Sequence, residues 1–212
     1  MDLPPSQGYI FGMSETILTL KRDLAACTIC ADRFAASATG HSPRPVVWFE
    51  QTARLLIAGQ APGIRVHEAG IPFHDRSGDR LRDWLGIDSE TFYDTSRVAI
   101  VPMAFCFPGY SKGGSDLPPP SICAQTWRDP VMTHLPEVRL TLVIGGYAQR
   151  WHLGKAHAPN VTTTVRNWQS AKPGVIPLPH PSWRNTAWLK ANPWFETDLL
   201  PVLRSRVQKA LQ

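Results

Sequence analysis

A chain of 212 residues, 43% of them hydrophobic and carrying a formal charge of +5, suits one sizeable domain over 1–212, large enough to bury roughly 70% of its unfolded surface without staples. No apolar run approaches the ~18 residues of a membrane span and the N-terminus lacks a charged-then-apolar signal pattern, so a soluble, cytoplasmic protein without a membrane partner is expected. The basic balance permits a polyanionic partner without demanding one, and the four cysteines are expected in a reducing compartment as core thiols or metal ligands, not disulfides.

In chain order, "SETILTLKRDLAAC" (14–27) predicts a helix, with Ser14 as its N-cap and a partial apolar stripe at Ile17, Leu18, Leu20 and Leu24. Four short apolar runs follow at 54–59, 97–103, 140–146 and 174–179. Each is long enough for a strand buried on both faces and too short for a buried helix. Helices are predicted between and after them at 77–87, 120–135, 147–154 and 193–212. Strands alternating with helices predict an α/β fold, a three-layer α/β/α sandwich around a central, mostly parallel four-stranded sheet. The prolines, 20 in number, predict long braced loops, and the Pro-, Gly- and Ser-rich stretch 107–121 reads as one of them.

In such a sheet the ligand crevice lies beyond the carboxyl ends of the strands, and the distinctive residues fall there. "GQAPG" (59–63) follows the first run, "CFPG" (106–109) the second, "GGYA" (145–148) the third and "HPSWRN" (180–185) the fourth. Gly59 and Gly63 permit tight turns and close approach to a ligand, Ala61 lies between them, Pro62 stiffens the turn, and Gln60 offers an amide. Such a turn serves a structural role equally well. Phe73, on the braced "GIPF" turn, offers a ring to stack on a planar ligand or to pack in the core. His67, Glu68, His74, Asp75 and Asp79 crowd the same segment, where one of them can orient a water.

His180 is held between Pro179 and Pro181 and is suited to donate a hydrogen bond to a developing anion. Ser182 and Arg184 suit a phosphate, and Asn185 completes the loop. Trp183 reads either as an apolar wedge into stacked bases or, with Trp188, as packing against the C-terminal helix. Cys27 and Cys30, spaced as CxxC, pair naturally with Cys106 and Cys123 to give four ligands. That set suits an iron–sulfur cluster or zinc, against the alternative of unrelated buried thiols.

Together these loops resemble the uracil-DNA glycosylase superfamily. GQAPG, then Gly70 and Ile71-Pro72-Phe73, is similar to the G-E-A-P-G…G-x-P-F segment of its iron–sulfur branch; "HPSWRN" is similar to the second family motif in its H-P-S-x-R-N form. The resemblance runs from about residue 15 to the C-terminus and implies a DNA base-excision glycosylase acting on uracil or another deaminated base. It implies that Phe73 stacks on the flipped base, with Gly59 and Ala61 beside it, and that His180 stabilises the departing base. Gln60 and Glu68 are then the catalytic candidates for activating water, with Asp75 a further one. Pro62, Gly63, Ser182, Trp183, Arg184 and Asn185 would contact DNA, and Cys27, Cys30, Cys106 and Cys123 would hold a 4Fe-4S cluster, with zinc as the alternative. Nothing in the chain argues for an oligomer, and a monomer is expected. Gln60 stands at the family's acidic position and Pro102 at its uracil-reading Asn. These departures keep open a second expectation, a DNA- or nucleotide-binding member with altered or lost catalysis.

Overall fold

The structure is a computed structural model that describes residues 17–212; Ser14 lies outside the described residues. Four parallel strands, β1 (Leu55–Ala58), β2 (Val98–Ile100), β3 (Leu140–Ile144) and β4 (Val175–Leu178), form one sheet in the order β2-β1-β3-β4. The register places Leu55 against Val98 on one side and Leu140 on the other, and Thr141 against Val175. Every strand residue is buried, as expected of a parallel sheet covered on both faces.

Side chains alternate across the pleat, and the two faces bury different partners. Leu55, Ile57, Val98, Ile100, Leu142 and Ile176 pack with α4 (Arg76–Leu85), α5 (Ser89–Tyr93), α8 (Val161–Arg166) and α10 (Leu200–Leu211). Leu56, Ala58, Ala99 and Val143 face the opposite layer. There they meet α1, helical over 17–25, together with α6 (Ser121–Thr133) and α7 (Gly145–Leu153). The three-layer sandwich is as expected.

The strands end one to three residues inside the predicted runs. Past the end of β2, Val101 and Met103 still donate to Ile57 and Gly59, on either side of Pro102, which has no N–H. The predicted C-terminal helix opens with a π-helical turn at Phe195–Leu199 before α10. The expected long loops are in good part short helices: α2 (Ala31–Ala35), α3 (Ile64–Ala69), α5, α8 and α9 (Thr186–Ala191). The 107–121 stretch remains irregular and folds back on itself, with Tyr110 bridged antiparallel to Asp116.

Candidate functional site

A cleft of about 520 Å3 opens beyond the carboxyl ends of the strands. The sheet order makes β1 and β3 neighbours while the chain passes from β1 to β2, so the crevice between the β1 and β3 exits is the topological switch point of the fold. Gln60 stands there, its Oε1 3.7 Å from where a Cβ on Gly145 would lie. Gly145, at φ +80°, starts α7 in a conformation that favours glycine.

Gly59, Gln60, Ala61, Pro62 and Gly63 line one wall of the cleft, Phe73 and Asp75 a second, and His180, Ser182, Trp183 and Arg184 a third. Two of the expected residues do not line it. Glu68 sits on α3, where its backbone carbonyl accepts from Arg44 Nη1 at 2.7 Å. Asn185 instead supports the site from below, donating from Nδ2 to the His180 carbonyl at 2.8 Å. His67, beside Glu68, packs edge-on against His41 at 5.2 Å between ring centroids.

His180 is half-buried, and burial pulls its imidazole below the ordinary histidine range although Asp75 and Asp116 both pull it up. Desolvation disfavours the cation, so the ring is neutral at neutral pH. Its Nδ1 accepts from the Ser182 N–H at 3.2 Å. In the neutral ring that assigns the proton to Nε2. The loop carrying this imidazole is tied to α4 by Arg80, which donates to the Ser182 carbonyl at 2.8 Å and to Thr186 Oγ1 at 3.1 Å.

Phe73 adopts φ +53°, among the described residues the one non-glycine in the left-handed region, a conformation that costs about 1–3 kcal/mol. Tyr93 Oη donates to its carbonyl at 3.3 Å, and its ring meets Phe92 edge-on at 6.0 Å between centroids. The ring packs against the core, as one of its two sequence readings expects, and it also borders the cleft. Asp75 caps α4: its Oδ1 accepts from the Ser77 and Gly78 amides at 2.9 and 3.1 Å and from the Ser77 hydroxyl. Trp183 is 64% exposed, with the Arg184 guanidinium 5.9 Å above its ring. Trp188, in contrast, packs on Trp194 and Phe195. The packing reading therefore holds for Trp188 and fails for Trp183.

Sequence reasoning did not single out Arg65, Arg76, Tyr110 and Asp116, which also line the cleft. Only the composition of 107–121 pointed toward the segment holding Tyr110 and Asp116. Burial raises the Tyr110 phenol, and Asp116 raises it further.

On the other side of the β2 exit, Cys27, Cys30, Cys106 and Cys123 line one small apolar cavity with Phe34 and Trp127. All four are free thiols. Trp127 Nε1 donates to Cys27 Sγ at 3.3 Å and the Phe105 N–H to Cys123 Sγ at 3.4 Å. Burial pushes the Cys106 thiol up to about 12 and Cys123 up to about 11, so each needs a nearby cation to ionise. Among the described residues no three His, Cys, Asp or Glu side chains converge as a site for a single metal ion. Four sulfurs on one apolar cavity, two of them accepting N–H groups, are the chemistry of a thiolate donor set.

In this parallel α/β sandwich a neutral histidine, the Phe73 ring and three arginines surround a cleft at the switch point of the sheet. Residues 47–204 match the Uracil DNA glycosylase superfamily, and the chain belongs to that family. No helix among the described residues is long and apolar enough to cross a membrane.

Proposed function

We propose that this protein is a DNA glycosylase of base-excision repair, hydrolysing the N-glycosidic bond of uracil or another deaminated base. The observation that carries the reading is His180: a neutral imidazole on the cleft wall, its Nδ1 occupied by the Ser182 amide and its proton assigned to Nε2. A base flipped from the stack would lie against Phe73. As the bond to the sugar breaks, its electron pair leaves with the base, and a donor at the base oxygen lowers that barrier. A water then adds to the sugar carbon and loses its proton.

Gln60 and Asp75 face the cleft and Glu68 does not, which favours the first two for orienting the water. Asp75 keeps a carboxylate oxygen for that water, because the α4 cap engages only its Oδ1. Pro62, Gly63, Ser182 and Arg184 are assigned to the phosphate backbone and Trp183 to the stack. In this reading the protein works on DNA as a monomer in the cytoplasm.

A structural 4Fe-4S cluster on Cys27, Cys30, Cys106 and Cys123 belongs to the same proposal, placing it in the iron–sulfur branch with the HPSxRN second motif. The shared apolar cavity and the sulfur-directed N–H groups support it. Zinc on the same four thiolates is the alternative occupant. Iron and acid-labile sulfide in anaerobically purified protein would support the cluster; zinc alone would replace it.

The second reading, a member that binds DNA with altered catalysis, is favoured by Pro102, which lines the cleft with no amide to read a base edge. One assay separates the two. Oligonucleotides carrying uracil, hypoxanthine or xanthine are incubated with the protein, and abasic sites are cleaved with alkali. Strand breaks on at least one base, reduced about 10²–10³-fold by His180→Ala, are expected. DNA binding with no breaks on any base would establish the second reading.

A further inference from the structure

Arg128 is the largest side chain buried to below 2% exposure, at 1%, and among the described residues it has no carboxylate ion-pair partner. Burial pulls its guanidinium down to about 10, which leaves it a cation at neutral pH. A buried charge without a counter-ion is costly, and Nε finds no hydrogen-bond partner among the described residues, so the two terminal nitrogens carry the compensation. Here Nη1 donates to the Val101 carbonyl at 3.0 Å and the Pro102 carbonyl at 3.1 Å, while Nη2 meets His152 Nε2. Burial and the guanidinium press His152 down to about 3, so the imidazole is neutral and serves as the acceptor.

Those two carbonyls belong to successive peptides at the β2 exit, where Pro102 lines the cleft and Val101 is fully buried behind it. Val101 donates its N–H to Ile57 O at 2.9 Å and Met103 to Gly59 O at 2.9 Å. Pro102, between them, has no N–H and touches the cleft. The wall is therefore pinned through amides on the β1 side and through carbonyls on the Arg128 side. The same helix, α6, carries Cys123 in its first turn, and Cys106 follows Pro102 by four residues.

We propose that Arg128 is a positioning residue for the base pocket, holding the Val101–Pro102 wall from behind and tying it, through α6, to the cysteine-lined cavity. The inference rests on the glycosylase reading above. It assigns pocket shape to a group that never touches the substrate, in a chain where Pro102 leaves the wall without a side-chain amide.

The test measures kcat and KM of the protein as purified, on the base that the wild type excises best, for Arg128→Met and Arg128→Lys. Arg128→Met is expected to lower kcat at least tenfold with KM and duplex affinity within about threefold, because the phosphate contacts lie on other loops. Arg128→Lys, which keeps a donor and the charge, is expected to recover part of kcat. A folded Arg128→Met protein with wild-type kcat overturns the proposal. So does a parallel fall of kcat, KM quality and melting temperature that lysine does not relieve, since that pattern marks a merely structural role.

Should Arg128→Met fail to fold, His152→Ala removes the acceptor that orients the guanidinium from its far side. A several-fold loss of kcat at unchanged KM is then expected, and unchanged kcat overturns the proposal. A wild-type protein that excises no base refutes the glycosylase reading alone. The wall is then read directly by amide hydrogen exchange: faster exchange at Met103 and Ala104 in Arg128→Lys or His152→Ala supports the positioning role, and unchanged exchange overturns it.

Discussion

At His180 two opposing effects compete. Asp75 and Asp116 favour the imidazolium, but burial favours the neutral ring and wins. A folded-state pKa held below the ordinary value means that the neutral ring persists as pH falls through about 6.5, where a free histidine would already be half protonated. The activity proposed above needs that neutral ring, so kcat/KM is expected to stay level from pH 8 through about 6.5 and to fall only in more acid solution. A pH–rate profile with its acid limb centred near 6.5 would show instead that His180 titrates as if exposed. The place of this residue at the carboxyl edge of the sheet is readable from sequence because an apolar run leads into it and two prolines flank it. Asp116 and Tyr110 are not readable in the same way. They reach the cleft through a bridge inside an irregular loop, and no local pattern encodes where such a loop folds back.

Among the helices, α4 does the most to shape the cleft. Its N-cap is Asp75, its Arg80 ties down the His180 loop, and its Gly78 lies directly under Phe73. A Cβ on Gly78 would stand 1.8 Å from the Phe73 carbonyl oxygen, a clash that only backbone movement can relieve. Gly78→Ala is therefore expected to destabilise the fold by about 1–3 kcal/mol and to displace the strained turn at Phe73. Chemical denaturation measures the first effect, and loss of excision beyond that explained by unfolding measures the second. Helix α4 is legible at 77–87 because its ten residues are long enough for the helical period to show. Helices α2, α3, α5, α8 and α9 span five or six residues each, under two turns, and a period of 3.6 cannot register over so short a span. The strands were visible because burial on both faces demands unbroken apolar runs.

Over the whole molecule, the formal charge of +5 matters most where it is concentrated. Arg65, Arg76 and Arg184 line the cleft against Asp75 and Asp116. Each phosphate neutralised by such a group contributes about −0.7 to −0.9 to the slope of log K against log salt. DNA affinity is thus expected to fall steeply between low and moderate salt, and Arg184→Ala to reduce that slope by about one. A titration flat in salt would remove Arg184 from the DNA-contacting set. The two cysteine pairs sit unequally in this frame, since the family match begins at residue 47, after Cys27 and Cys30 and before Cys106 and Cys123. The sheet order has a further consequence, in the time course of synthesis. The central strand β1 is made early, but one of its neighbours, β3, pairs Leu140 with Leu55 across more than a third of the chain, and His180 lies beyond β4 again. A ribosome must therefore pass residue 180 before Gln60, Phe73 and His180 can meet, so no nascent fragment that stops short of β4 carries an assembled cleft.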